Sequence, residues 1–468
     1  MKAPKVFVLG LDCAEPSLLF GTWLSHLPNF RKLIDQSHYG KLRSCDPPIT
    51  VPAWSVMMSS RTPGSLGIYG FRNRVDHSYA KFSIANSNAI KVKRLWNLLG
   101  DAGKKVILIG VPQTYPPQPV NGILVGDFLT PDTKCDYTYP SEFRHEIQET
   151  VGEYLFDVRD FRSDNKDRIL ADIYEMTEKR FKLARHLMTE KPWDYFMMVE
   201  MGTDRIHHAF WSYMDPRHRA YEKGHRYENA IFEYYHYLDG ELGCLLEQID
   251  SNTHLFIVSD HGAKRMDGGI CVNDWLIQEG YLHLLGSLPR KPTPFSQVEV
   301  DWDKTIAWGD GGYYARIFLN VRGREPKGTI EANDYEKVRA ELAVKLASLP
   351  DNQGRPIPTQ VHRPEDLYKT VNGVAPDLLV YWGGLHWRSV GSVGNRSFYT
   401  FENDTGPDDA NHAEYGMIVY RPAPATGIMT VGREVHNAGL LDITPTILHL
   451  FGLTPTPEME GRSLDLSG

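Results

Sequence analysis

The sequence predicts an α/β fold in which a mostly parallel central sheet carries helices on both faces, with inserted segments capping it. Three observations predict it. Continuous apolar runs rich in strand formers recur along the chain, as parallel strands covered on both faces require. Stretches with apolar residues at helical spacing lie between them, the alternation that βαβ units produce. Of 468 residues, 41% are hydrophobic and 24% charged, with 40 Gly and 30 Pro, which supplies a large core and excludes a disordered or fibrous chain.

Taken in order, the first run is Val6-Phe7-Val8-Leu9-Gly10-Leu11. Similar runs follow at Val106 to Ile109, Tyr195 to Val199, Leu255 to Val258, Leu378 to Tyr381 and Met417 to Tyr420. A helical stripe of Leu170, Ile173, Thr177, Phe181, Ala184 and Leu187 precedes the third run. Another, of Ile231, Tyr234, Leu238, Leu242, Leu245 and Ile249, precedes the fourth. The chain reads as one domain over 1–468 with two insertions, at about 115–162 and 285–372. The first is rich in Pro, Asp and Tyr. The second contains the turn-forming Arg322-Gly323-Arg324-Glu325-Pro326-Lys327-Gly328, and both are expected to form a cap or lid.

A formal net charge of -8 is the wrong sign for gripping a nucleic-acid backbone, so no stable nucleic-acid partner is expected. The N-terminus runs straight into a strand without a secretory apolar region, and no apolar stretch reaches the roughly 18 residues of a membrane span. A cytoplasmic protein without a membrane segment is expected. Cys13, Cys45, Cys135, Cys244 and Cys271 are odd in number and never paired as CxxC, so reduced thiols are expected rather than a disulfide framework or a thiolate zinc site.

In open α/β sheets the ligand crevice lies beyond the carboxyl ends of the strands, which gives weight to polar residues that follow the apolar runs. Asp12 ends the first run, Glu200 and Asp204 follow the third, and Asp260-His261-Gly262 follows the fourth. His412 stands just ahead of the last. Asp204 and His208 are four apart, so on a helix they share a face and can converge on one ion. Pro52 fits the first turn of a helix, which places Thr50 at the positive end, where an anion is favoured. Each residue also has a plain structural alternative. Asp12 and Thr50 could cap helices, Asp260-His261-Gly262 could form a turn, His412 could be a hydrogen-bonded histidine, and Asp204 with His208 could be a surface pair.

Together these segments resemble the alkaline phosphatase superfamily, most closely the type I phosphodiesterase/nucleotide pyrophosphatase family. The likeness runs through Gly10-Leu11-Asp12, Thr50-Val51-Pro52-Ala53-Trp54 with Gly67-Ile68-Tyr69-Gly70-Phe71, Asp204-Arg205-Ile206-His207-His208, Ser259-Asp260-His261-Gly262, His412 with Glu414-Tyr415-Gly416, and Asp442 to Leu448. The resemblance implies two divalent metal ions, usually zinc. Asp12, Asp260, His261 and the Thr50 oxygen would hold one, and Asp204, His208 and His412 the other. Nitrogen and oxygen ligands without thiolate suit Zn, Mn or Fe.

It further implies a small-molecule phosphate ester as substrate, in-line attack of the Thr50 oxygen on phosphorus, and a phospho-threonine intermediate that water then opens. Backbone amides after Thr50 are candidate donors to a phosphate oxygen. The chain departs from the family where Thr-x-Pro-Asn is usual and Ala53 stands instead. It also has Ser59-Ser60 and Leu66-Gly67 where Thr-Gly and His-Gly are common.

Trp54, one turn after Thr50, is expected to contact substrate, with Tyr69, Phe71, Trp211, Tyr313 and Tyr314 as further pocket candidates. A phosphomonoesterase or phosphomutase of the same superfamily is the alternative, with Arg205, Arg388 and Arg396 as candidate cations for the extra charge. A sulfatase is disfavoured, because neither Thr50-Val51-Pro52-Ala53-Trp54 nor Cys45-Asp46-Pro47-Pro48-Ile49 has the Cys/Ser-x-Pro-x-Arg pattern. A metal-stabilised binding protein without turnover is disfavoured by the presence of Thr50.

Overall fold

The computed structural model describes residues 3–427 and 431–466. Among these, ten strands form the central sheet: β1 (Lys5–Leu11), β2 (His38–Arg43), β3 (Val106–Ile109), β4 (Gly122–Val125), β5 (Thr138–Tyr139), β6 (Tyr195–Glu200), β7 (Thr253–Val258), β8 (Tyr415–Arg421), β9 (Arg433–Glu434) and β10 (Ala438–Gly439). They lie in the order β9-β2-β8-β7-β1-β6-β3-β4-β5, with β10 also on β2. The five neighbours from β7 to β4 are parallel, β8 runs against both β7 and β2, and β5 runs against β4. Every residue of β3, β6 and β7 is buried, so helices cover both faces and the continuous apolar runs have their physical reason.

The helices that matter for the site are α1 (Thr50–Ser59), α2 (Lys166–Glu190), α3 (Gly202–Met214) and α4 (Ala230–Leu246). On α2 the Asn165 side chain caps the first turn by accepting from the Arg168 N–H. Ile169, Ile173, Met176, Thr177, Phe181, Ala184 and Leu187 form the buried stripe. All ten residues of α1 are buried, and the helix stops at Ser60, whose φ of 55° is left-handed. None of the described helices is long and apolar enough to cross a membrane. All five cysteines are free.

One apolar run falls outside the central sheet. Leu378–Tyr381 joins a separate four-stranded antiparallel sheet, in the order Ala307–Asp310, Ala315–Leu319, Leu378–Tyr381, Gln360–His362. This sheet has its own apolar core around Trp275, Trp308, Ile317, Leu342 and Trp382. All four residues of the run are buried, so its sequence reads like a central parallel strand although its pairing is antiparallel.

Candidate metal and catalytic centre

The strand ends deliver the first group of ligand atoms. Asp12 follows β1 directly, and Asp260 and His261 follow β7, the strand hydrogen-bonded beside it. Thr50 is the first residue of α1, buried at 3% exposure. Its Oγ1 lies 3.2 Å from His261 Nε2 and 3.4 Å from Asp12 Oδ1. His261 Nε2 is in turn 3.2 Å from Asp260 Oδ2. Asp12, Asp260 and His261 thus place one ligand atom each within 4.8 Å of one another.

The second group comes from α3 and a two-stranded ribbon, Gly262–Arg265 against Ala410–Ala413, which sets His412 opposite Ala263. His208 Nε2 lies 3.2 Å from Asp204 Oδ1 and 3.2 Å from His412 Nε2, and His412 Nε2 is 3.8 Å from the same carboxylate oxygen. The groups touch: the His261 and His412 rings stack with centroids 3.8 Å apart, and Asp204, His261 and His412 make a further cluster of ligand distance. The structure therefore brings Asp12, Thr50, Asp204, His208, Asp260, His261 and His412 into one buried centre.

The polar accounting of this centre fits cations. Each imidazole spends Nδ1 on an acceptor outside the cluster: His208 on Asp408 Oδ1 at 2.7 Å, His261 on the Gly262 carbonyl at 3.1 Å, and His412 on the Pro48 carbonyl at 2.9 Å. These acceptors carry no proton to give, so Nδ1 is the donor in each ring and all three Nε2 atoms turn inward. Asp204 Oδ1 and Asp260 Oδ2 are buried without a hydrogen-bond partner. Inward imidazole nitrogens and orphaned carboxylate oxygens leave a cluster of acceptors that a divalent cation satisfies.

A family model described as "Type I phosphodiesterase / nucleotide pyrophosphatase" matches residues 6–408. The chain belongs to that family. It is a family of metal-dependent phosphate ester hydrolases, and its match ends four residues before His412. No curated protein matches the sequence. Among solved structures, human ectonucleotide pyrophosphatase/phosphodiesterase 5 is similar with a TM-score of 0.58 at 13% identity, over 99% of this chain and 98% of that one. The murine protein, solved as an inactive threonine-to-alanine variant in complex with AMP, is similar with a TM-score of 0.56 at 14% identity, over 97% and 96%. At this identity the likeness shows the fold.

Electrostatics differ between the two groups of this family member. Burial, then neighbouring negative charge, holds Asp12 and Asp260 well above the usual carboxyl range. Burial lowers His261 to about 4. Burial also opposes ionisation at Asp204, but His208 and Arg205 outweigh it and hold that carboxyl well below the usual range. Burial would lower His208, yet Asp408 and Asp204 prevail and raise it to about 9.

Trp54 requires a correction. It is fully buried, its indole N–H donates to Asp12 Oδ2 at 2.7 Å, and its ring packs so closely on β1 that a Cβ on Gly10 would lie 2.5 Å away. With its N–H spent on Asp12 and its ring packed against β1, this side chain has no face left for substrate; it braces Asp12 instead. The Tyr314 hydroxyl donates to the Tyr69 backbone carbonyl, Phe71 packs on Phe128, and Trp211 packs on His207. Arg205 pairs with Asp204 and, at 2.6 and 2.8 Å, with Asp157, while Arg388 reaches Asp404 and Arg396 is exposed.

Sequence reasoning missed Asp408 and Arg162. Asp408 holds His208, and Arg162 Nε bonds Asp408 Oδ2 at 3.0 Å. A cavity of about 460 Å³ opens beside them, lined by Phe128, Asp157, Phe161 and Arg162 among others, with the Phe161 ring 6.2 Å from that of His208.

Proposed function

We propose that this protein is a dinuclear phosphodiesterase that works through a covalent threonine intermediate, with Asp12, Asp260, His261 and Thr50 holding one cation and Asp204, His208 and His412 the other. The carrying observation is one buried cluster of three inward Nε2 atoms and two orphaned carboxylate oxygens, which the Thr50 hydroxyl meets at His261 Nε2 and Asp12 Oδ1. Family membership and the AMP bound by the murine relative support a phosphodiester of nucleotide-like size as substrate. Bound in such a centre, divalent cations supply Lewis acidity toward phosphate oxygens and charge that stabilises developing alkoxide. Nitrogen and oxygen donors without thiolate favour Zn, with Mn or Fe compatible.

In this reading the Thr50 hydroxyl gives up its proton to solvent and its oxygen attacks phosphorus in line; the bond to the leaving alcohol breaks, that alcohol takes up a proton, and a phosphodiester on Thr50 forms, which water then cleaves to a monoester, returning the hydroxyl. The positive end of α1 favours the anionic character that develops at Thr50. His261 Nε2, turned inward because its Nδ1–H is committed to Gly262, would hold a cation beside the Thr50 hydroxyl, and that charge would ease loss of the hydroxyl proton. The inserted stretches 115–162 and 285–372 act as the cap, Arg162 from one and Tyr313 from the other meeting over His208.

The test is a side-by-side assay of bis-p-nitrophenyl phosphate and p-nitrophenyl phosphate with metal analysis of the same preparation. The expected result is about two tightly bound transition-metal ions per chain and faster diester turnover. Equal or greater monoester turnover would make the protein a phosphomonoesterase, and bound metal without turnover would make it a binding protein.

A further inference from the structure

The turn between Ala307–Asp310 and Ala315–Leu319 carries a tyrosine into the centre from the second sheet. Tyr313 stacks on His412 with ring centroids 4.1 Å apart and on His208 at 5.1 Å. Its hydroxyl stands 3.3 Å from His208 Nε2, the nitrogen that turns inward. The turn is held in place: Gly312 and Ser389 exchange two backbone hydrogen bonds of 2.8 Å, and Asn411 Nδ2 donates to the Tyr313 carbonyl at 3.0 Å. A Cβ on Gly311 would lie 2.5 Å from the Gly391 nitrogen, so only glycine lets the turn approach this closely.

The hydrogen-bond accounting at the phenol leaves its proton free. Arg162 Nη2 donates to the phenol oxygen at 2.5 Å, so the oxygen is already an acceptor there. The proton has two partners, both distant: Asp408 Oδ2 at 3.4 Å and His208 Nε2 at 3.3 Å. Asp408 already takes stronger bonds from His208 Nδ1 at 2.7 Å and Arg162 Nε at 3.0 Å, and a cation on His208 Nε2 removes the other.

The start of α1 offers few donors of its own beyond the Val51 N–H. Position 53 is Ala rather than a side-chain amide, Pro52 has no N–H, and the Ala53 N–H is bonded to the Ile49 carbonyl at 2.9 Å. The geometry points to Tyr313 as a catalytic residue whose O–H donates to a non-bridging oxygen of the substrate phosphate, replacing the missing amide. This rests on the phosphodiesterase reading and adds to it a specific donor from the inserted sheet.

Tyr313→Phe tests it, because the ring and its stacking remain while the donor is lost. The metal-loaded variant is expected to lose about 10²-fold in kcat on bis-p-nitrophenyl phosphate, the cost of deleting one preorganised donor. Inhibition by orthovanadate, which copies the five-coordinate phosphorus, is expected to weaken by a similar factor, with metal content unchanged. Activity and vanadate inhibition both within about twofold of the parent would overturn the assignment. So would loss of metal with full activity restored by added zinc, which would make Tyr313 a support for His208. If the parent protein fails to turn over diesters, the phosphodiesterase reading fails on its own, while equal vanadate binding by parent and variant would separately reject the phenol as a donor.

Discussion

Asp12, Asp260 and His261 stand on the ends of β1 and β7, and what braces them belongs to the same core: the Trp54 indole on Asp12, the Cys13 N–H on Asp260 Oδ1 at 3.2 Å, and the Gly262 carbonyl on His261. In the second group His412 is held by the Pro48 carbonyl just ahead of α1, and the remaining bracing comes from elsewhere. Asp408 orients His208, Arg162 orients Asp408, and Tyr313 covers both histidines. The first half is therefore braced from the central sheet and α1, whereas the second is also braced by Asp408, Arg162 and Tyr313, none of which belongs to a strand of that sheet.

The largest effect is expected at Thr50, on the sheet-braced half. Thr50→Ala should lower diesterase activity on the order of 10⁴-fold or more, as loss of a nucleophile does, measured as kcat on the aryl diester. Near-parent activity would mean that water is the direct nucleophile and that the two halves carry no covalent step.

Asp408→Asn probes the other half. It keeps the shape but weakens the acceptor that fixes the His208 ring, and should reduce metal affinity about 10- to 100-fold. Titration with a competing chelator is expected to show one weakened site and one unchanged. Equal weakening of both would break the comparison, since the two halves would then share one support.

Trp54→Phe is the matching change on the sheet side. It strands a buried carboxylate oxygen of Asp12 and is expected to cost about 1–3 kcal/mol in urea unfolding. An unchanged unfolding midpoint would show that the indole bond does not brace the core.

The smallest effect is a pH dependence at the start of β7, the opposite end from Asp260. His254 accepts the Ala423 N–H on Nδ1, and burial lowers it to about 4. Between that value and the unfolded value of about 6.5 the unfolded chain binds the extra proton. Stability is therefore complete above about pH 6.5 and is lost as the pH falls toward 4. Unfolding at neutral and mildly acid pH should show this slope, and His254→Gln should flatten it; an unchanged slope would assign the acid sensitivity to other groups.

What was legible follows the same division. Asp12 and Asp260-His261 could be read because each directly follows an apolar run, and strand ends are where an α/β sheet puts its crevice. Thr50 could be read because Pro52 marks the first turn of α1. Asp408 gave no such sign: it lies in a polar stretch, and its partner His208 is 200 residues away in sequence. Arg162 sits in an irregular segment whose contacts only folding reveals, and Tyr313 could be named as a pocket aromatic but not placed against His208 and His412. Leu378–Tyr381 was read as a central strand because burial on both faces produces the same apolar run in either sheet. Trp54 was read as a substrate contact because one-turn spacing says which residues share a helix face but not whether α1 has an exposed one.

The central claim is a covalent intermediate on Thr50, and the stereochemistry at phosphorus tests it most directly. Hydrolysis of a chiral phosphorothioate diester in oxygen-18 water, with the product configuration read by phosphorus NMR, counts the displacements. Two in-line steps through Thr50 give overall retention. Inversion would mean a single direct attack by water and would contradict the account.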